Sequence, residues 1–182
     1  APMTAVFPPP GSILWRTGEA GGVFPLPPAG SVVFTCNSTE ALNIAICGLL
    51  NPGDHVISTD LEHNSVLRPL YRKEKEGVDL TIIPVMKREE MVSGWFWRPV
   101  SGRIPKRWSV PMRQNLTGNV NDLEKLGALC RENGTLFLVD AAQSAGLLPI
   151  DMEQMHIDVL CFPGIKAFWD RRAWAASACV KV

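Results

Sequence analysis

The 182-residue sequence has no net charge, no long apolar run and no closely spaced pair of cysteines. Its 18 basic side chains are balanced by 18 acidic ones, so the basic surplus typical of a nucleic-acid-binding domain is missing. A membrane span needs about eighteen consecutive apolar residues, and a secretory signal needs a basic segment before an apolar one. The sequence contains neither pattern. We therefore expect no nucleic acid and no membrane among the partners.

The five cysteines argue against a disulfide framework. They form no Cys-x-x-Cys pair, and their odd number and wide spacing favour reduced thiols, which predicts a cytoplasmic protein. No group of His, Cys and Asp residues has the spacing of metal ligands, so we expect no metal. The glycine patterns of Walker loops and dinucleotide-binding loops are missing as well.

The sequence does contain enough apolar material for a packed core, since 46% of its residues are hydrophobic. Its charges are unevenly distributed. Residues 31–85 and 114–166 together carry a net charge of −7, and the remaining segments carry +7. Those segments, 1–30, 86–113 and 167–182, also hold all six tryptophans. The chain therefore divides into two ordinary blocks that are separated and flanked by atypical segments.

Both ordinary blocks alternate between β-rich runs and apolar residues at helical spacing. We predict strands over 31–35, 55–58, 80–85, 135–139 and 158–162. We predict helices over 40–50, from the residues after Asn64 to Gly77, and from Asn121, as N-cap, to Gly134. Apolar strands that alternate with helices predict an α/β fold with a mostly parallel sheet, which binds ligands at the carboxyl ends of its strands.

The turn 36–39 lies at one of those strand ends. Free N–H groups and the positive end of a helix dipole suit a phosphate there, and Ser38 and Thr39 would add hydroxyl donors. The alternative is that Asn37 or Ser38 only caps the helix.

Three further residues at strand ends are candidates for chemistry. A buried carboxylate such as Asp140 needs a cationic partner, and the protonated ring nitrogen of pyridoxal phosphate would serve, with Lys166 as the Schiff-base lysine. The alternatives are a cap or structural ion pair for Asp140 and a solvated charge for Lys166. His63 could stack on an aromatic ring or shuttle protons, or it could simply cap a helix.

Three segments carry a family resemblance: VVFTCNSTEALNIAICGLLNPGDHVISTDLEHNSVLRPL, NLTGNVNDLEKLGALCRENGTLFLVDAAQSAGLLPIDM and HIDVLCFPGIK. In this order they resemble the class V aminotransferase family of pyridoxal-phosphate enzymes, in its cysteine desulfurase and selenocysteine lyase branch. The resemblance covers residues 31–85 and 114–166. It implies the three-layer large domain of the aspartate aminotransferase-like fold. The small C-terminal domain of that fold has no counterpart in this sequence.

The resemblance also implies roles for single residues around a pyridoxal 5'-phosphate cofactor. Ser38 and Thr39 would hold the cofactor phosphate. Asp140 would pair with the pyridinium nitrogen, and Gln143 would contact the ring hydroxyl.

Three more residues complete the implied site. His63 would stack on the pyridine ring as a catalytic residue, and Asn115 would lie near the ring and the substrate carboxylate. Lys166 would bind the cofactor covalently and move substrate protons. The implied partners are a small cysteine-like substrate and a second copy of the chain, since family members form homodimers. The altered segments count against that assembly here.

The atypical segments depart from the family pattern. Gly164-Ile165-Lys166 stands where the family has Gly-His-Lys, and the mobile-loop cysteine that takes the substrate sulfur has no counterpart. With suitable codons, one added C after the codon of Gly164 restores Gly-His-Lys and the glycine-rich stretch that follows it. We therefore interpret 1–30, 86–113 and 167–182 as family sequence read in a shifted frame. The competing interpretation of 86–113 is a divergent insertion.

The resemblance implies a cysteine desulfurase-like enzyme that cleaves the C–S bond of cysteine to give alanine and persulfide sulfur. Because the thiol loop and the C-terminal domain are missing, we expect this polypeptide to be inactive or impaired. The alternatives are another class V aminotransferase or lyase, and a non-catalytic remnant of the fold.

Overall fold

A seven-stranded sheet forms the centre of the fold. The computed structural model describes residues 32–84, 107–111, 121–145, 147–163 and 177–180. The strands are β1 (Val32–Phe34), β2 (His55–Thr59), β3 (Asp79–Ile83), β4 (Arg107–Pro111), β5 (Leu136–Asp140), β6 (Val159–Phe162) and β7 (Ser177–Val180). Their order across the sheet is β1-β7-β6-β5-β4-β2-β3.

The sheet is mostly parallel, as the sequence predicts. All neighbouring pairs from β6 to β3 run parallel, and β7 runs antiparallel to both β1 and β6. Because β1 and β6 both oppose β7, β1 runs in the same direction as the parallel strands. The carboxyl ends of β1, β2, β5 and β6 therefore lie at one edge of the sheet.

Two strands lie in the atypical segments 86–113 and 167–182. β4 pairs with β5 over its whole length, from Arg107 opposite Leu136 to Pro111 opposite Asp140, and it also pairs with β2. β7 lies within residues 167–182. Neither strand is predicted above.

Within the described residues, three helices cover the two faces of the sheet. They are α1 (Ser38–Leu49), α2 (Asn64–Lys75) and α3 (Leu123–Glu132). One buried cluster joins α1 and α2 to residues that alternate along β5 and β6, such as Leu138, Val159 and Cys161. The other joins α3 to the opposite face of the same strands, through Phe137 and Leu160. The layers are thus helix, sheet and helix, which agrees with the predicted three-layer fold.

The helix boundaries differ from the predicted ones mainly at the caps. α3 is capped by Asp122, whose carboxylate accepts from the Lys125 N–H at 3.2 Å, and not by Asn121. An aspartate is as good a cap as an asparagine, so local sequence does not separate the two neighbours. α1 begins at Ser38, two residues before the predicted start. No helix in the described ranges is long and apolar enough to cross a membrane.

Candidate functional site

The turn between β1 and α1 presents the start of a helix at the carboxyl edge of the sheet. Asn37 caps α1, since its side-chain oxygen accepts from the Glu40 N–H at 2.9 Å. The Glu40 carboxylate in turn accepts from the Cys36 N–H. The N–H groups of Ser38 and Thr39 belong to the first turn and have no partner within the helix. Asn37 therefore does cap the helix, and two N–H groups remain for an anion.

The turn between β2 and α2 carries His63 as the N-cap of the helix. The imidazole Nδ1 accepts from the Ser65 N–H at 3.2 Å and lies 2.7 Å from the Ser65 hydroxyl. That hydroxyl lies 2.9 Å from the Thr39 hydroxyl. The structure thus brings Thr39 and His63 together through one serine, although the His63 side chain itself is exposed.

A buried acid, Glu62, precedes His63 in the same turn. Its residue is 6% exposed, and neither carboxylate oxygen has a hydrogen-bond partner within the described part of the chain. Burial raises the pKa of Glu62 well above its usual range, and the neighbouring Asp140 carboxylate raises that pKa further. Glu62 therefore lies close enough to Asp140 to respond to its charge.

Asp140 ends β5 and is 7% exposed. Its Oδ1 accepts from the Ala142 N–H at 2.9 Å, which closes a short turn after the strand. Gln143 follows in that turn and is half-buried. Asp140 thus combines the local capping role with a buried carboxylate at the carboxyl edge of the sheet.

Two of the predicted site residues, Lys166 and Asn115, lie outside the described residues.

Glu62 and Ser65 also lie at this site, although the sequence does not predict them as site residues. Both lie beside His63 in the stretch Glu62-His63-Asn64-Ser65, but an acid and a serine near a helix start are common capping residues, so the local pattern gave no signal. The signal is tertiary: the charge of Asp140 from β5 raises the pKa of Glu62, and the Ser65 hydroxyl lies 2.9 Å from the Thr39 hydroxyl of α1.

Cys36, Cys47, Cys130 and Cys161 are free thiols. Cys130 and Cys161 are buried, as expected for small apolar groups, whereas Cys36 is exposed at the edge of the site. The Glu40 carboxylate, through a hydrogen bond and its charge, raises the pKa of the Cys36 thiol. Nucleophilic attack by sulfur needs the thiolate, so Cys36 is poorly suited to it at neutral pH. Among the described residues, no group of three or more His, Cys, Asp or Glu side chains could hold a metal ion.

Comparison with known proteins identifies relatives of this chain. The Aminotransferase class-V family matches residues 23–168. The cysteine desulfurase IscS of Pectobacterium carotovorum is 35% identical over 141 residues, which cover 75% of this chain and 35% of that protein. The cysteine desulfurase IscS of Ehrlichia chaffeensis is 34% identical over 144 residues, at 77% and 35% coverage. This chain thus spans about a third of the length of the curated relatives it matches.

Solved structures show the same relationship. The cysteine desulfurase of Thermococcus onnurineus, in its apo structure, superposes with a TM-score of 0.69 at 27% identity, over 84% of this chain and 38% of that one. The cysteine desulfurase CsdA of Escherichia coli superposes with a TM-score of 0.72, and at 24% identity it supports the fold alone. The chain therefore belongs to the class-V aminotransferase family, in its cysteine desulfurase branch.

Proposed function

We propose that this chain carries the pyridoxal-phosphate-binding part of a cysteine desulfurase-like enzyme. The observation that carries the proposal is the meeting of three turns at one edge of the sheet, after β1, β2 and β5. The Thr39–Ser65 contact joins the first two turns, and the charge of Asp140 acts on Glu62 across the second and third. Relatives of this chain bear the name cysteine desulfurase, which gives the substrate class.

The groups at this edge fit the chemistry of the cofactor. The first N–H groups of α1 suit its phosphate, because a helix N-terminus favours anions. The buried Asp140 carboxylate suits a protonated ring nitrogen, because a buried anion is stabilised by an adjacent cation. The exposed His63 imidazole suits the face of an aromatic ring.

When bound, pyridoxal phosphate supplies an electron sink for the bonds at the substrate α-carbon. The chain would do the rest. Asp140 would hold a proton on the ring nitrogen, Gln143 would contact the ring hydroxyl, and His63 would cover one face of the ring. Lys166 would anchor the cofactor and move substrate protons, while Asn115 would lie near the substrate carboxylate.

Cofactor binding tests this proposal directly. We expect the purified chain to develop a visible absorbance band when pyridoxal phosphate is added, and we expect Lys166→Ala to abolish that band. Lys75→Ala is the matched control, because Lys75 is exposed in the last turn of α2. That control should keep the wild-type band.

Borohydride reduction followed by peptide mass mapping should place the cofactor on Lys166. A wild-type chain that develops no band would contradict the proposal and favour a non-catalytic remnant.

The proposed reaction needs a sulfur acceptor. A thiolate forms an S–S bond with the substrate sulfur as the C–S bond breaks, and a proton then completes alanine. Of the four cysteines whose side chains the structure describes, Cys130 and Cys161 are buried, Cys36 has a raised pKa, and Cys47 is half-buried within α1. We therefore expect little or no persulfide and alanine from cysteine, even where the cofactor binds. Turnover at the rate of full-length relatives would refute this expectation.

We also infer that the chain is a fragment with segments read in a shifted frame. Changes of charge, tryptophan and proline content at the segment edges support this, and so does the end of the family match at residue 168. The match begins at residue 23, inside the first atypical segment. Sequencing the encoding DNA tests the inference. Codons that cannot yield Gly-His-Lys around Lys166 in a neighbouring frame would rule it out.

Two further points belong to this proposal. The free thiols among the described residues support a reducing, cytoplasmic location. A homodimer with the site near its interface follows from the family resemblance, and sedimentation of the purified chain with and without cofactor tests it. A chain that stays monomeric with cofactor bound would contradict the dimer.

A further inference from the structure

Ser65 contacts both the phosphate-binding turn and the histidine of the site. We propose that Ser65 is a positioning residue, which fixes His63 with its ring proton on Nε2 and ties the ring to Thr39. The inference rests on the proposed function only where it concerns the cofactor, because the contacts belong to the chain itself.

One donor is known, the Ser65 N–H, and it fixes the direction of the two hydroxyl hydrogen bonds. The Ser65 N–H donates to His63 Nδ1, so Nδ1 carries a lone pair. A neutral imidazole with unprotonated Nδ1 has its proton on Nε2. The Ser65 hydroxyl, 2.7 Å from Nδ1, must then donate to it as well.

The same reasoning extends to Thr39. The Ser65 hydroxyl has one hydrogen, and His63 takes it, so the Thr39 hydroxyl must donate across the 2.9 Å contact to the Ser65 oxygen. The hydroxyl hydrogen of Thr39 is thereby used within the chain. Thr39 would serve a phosphate through its backbone N–H, and its side chain acts through Ser65.

Burial strengthens this relay, the chain of hydrogen bonds from Thr39 through Ser65 to His63. Ser65 is 7% exposed, so water does not readily replace its hydrogen bonds. His63, by contrast, is exposed, and few packing contacts would hold its ring. Two hydrogen bonds to one ring nitrogen limit rotation of the imidazole and leave Nε2–H as the group available to a ligand. The relay also links the starts of α1 and α2, which lie 26 residues apart at Thr39 and Ser65.

Nitrogen NMR of the cofactor-free chain tests the tautomer. At a pH where the ring is neutral, we expect wild-type His63 to show a protonated Nε2 and an unprotonated Nδ1. In Ser65→Ala, the fraction with protonated Nδ1 should rise severalfold, and Ser65→Thr should restore the wild-type signals. Ser58→Ala is the control, because Ser58 is fully buried in β2 and its hydroxyl has no partner within the described residues. A wild-type ring protonated on Nδ1, or signals unchanged in Ser65→Ala, would overturn the proposal.

Cofactor affinity tests the link to Thr39. We expect Ser65→Ala and Thr39→Val each to weaken pyridoxal phosphate binding about fivefold, and the double variant to be no weaker than either single one, because one relay is broken in all three. Additive losses would show that the Thr39 hydroxyl contacts the phosphate directly, which contradicts the relay. Thr39 is exposed, so Thr39→Val stays usable if Ser65→Ala does not fold.

The two measurements separate this inference from the proposed function. If wild type binds no pyridoxal phosphate, the proposed function fails, and the NMR result still decides the role of Ser65. If the cofactor binds but the His63 signals do not respond to Ser65→Ala, only the positioning role fails.

Discussion

One buried acid lies in the turn after β2 and another is the last residue of β5, and the two differ in their hydrogen-bond partners. Asp140, the last residue of β5, accepts a backbone hydrogen bond from the Ala142 N–H at 2.9 Å. Glu62, after β2, has no hydrogen-bond partner for either oxygen within the described residues. Their residue exposures are nearly equal, at 7% and 6%. Burial alone therefore does not decide the charge of an acid, and local partners must be considered.

The different hydrogen-bond partners favour different charge states for the two acids. A carboxylate that accepts a backbone N–H is stabilised in its charged form, whereas an acid that is buried without a partner is stabilised in its neutral form. Asp140 raises the pKa of Glu62 by its charge, so a proton on Glu62 removes the repulsion between the two groups. We therefore expect Asp140 to carry the negative charge and Glu62 to carry the proton.

The largest expected effect comes from removing the negative charge of Asp140. Asp140→Asn keeps an oxygen for the Ala142 N–H but removes the negative charge, so pyridoxal phosphate affinity should fall roughly 100-fold. Asp151→Asn is the matched control, because Asp151 also accepts backbone N–H groups, from Glu153 and Gln154. Equal affinities for the two variants in an absorbance titration would contradict the assignment.

The next effect concerns Glu62 and is a dependence of protein stability on pH. The folded-state pKa of Glu62 is raised above 4.5, so its contribution to stability is complete below that pH and is lost as pH rises toward the folded pKa. Wild-type stability should fall over this window with a slope of up to about 1.4 kcal/mol per pH unit. Glu62→Gln should remove that slope in urea unfolding measured at a series of pH values.

A second pair of variants refines this result. Glu74→Gln, on the exposed surface of α2, should leave the wild-type slope. Asp140→Asn should only partly narrow the pH range over which stability falls, because burial is the larger cause of the raised pKa of Glu62. A wild-type stability that does not fall above pH 4.5 would contradict a protonated Glu62.

The smallest expected effect separates capping from chemistry in the turn after β2. His63→Asn replaces one N-cap with another good one, so the free energy of unfolding should change by no more than about 0.5 kcal/mol. Cofactor affinity should fall about tenfold, because the ring is lost. Thermal unfolding and an absorbance titration of the same sample provide both values. A large loss of stability with unchanged affinity would make His63 a structural residue only.

Much of the fold could be predicted because its elements are local. The predicted strand over 55–58 and the observed β2 differ by one residue, and the predicted stop at Gly77 matches a glycine with φ of 97° just after α2. The strands β4 and β7 could not be predicted. Each lies in a segment with unusual composition, and each pairs with a strand that is distant in sequence, β4 with β2 and β7 with β1.

The candidate site divides in the same way. Asp140 could be located because an acid directly follows four apolar residues, a pattern that one strand creates by itself. Glu62 could not, because its raised pKa depends on burial and on a neighbour from another strand. For the same reason, the helix contact at Gly127 is invisible in the sequence: a Cβ there would lie 1.8 Å from the Met155 carbonyl oxygen.

The position of β1 has a consequence for protein synthesis. Among the described strands, β1 stands at one edge of the sheet and pairs only with β7, where Val32 lies opposite Cys179. A ribosome that adds about 15 residues per second needs on the order of ten seconds to make the chain between these two residues. During that interval, the turn that presents Ser38 and Thr39 follows a strand whose partner strand does not yet exist. That turn is therefore synthesised well before the strand that completes the hydrogen bonds of β1.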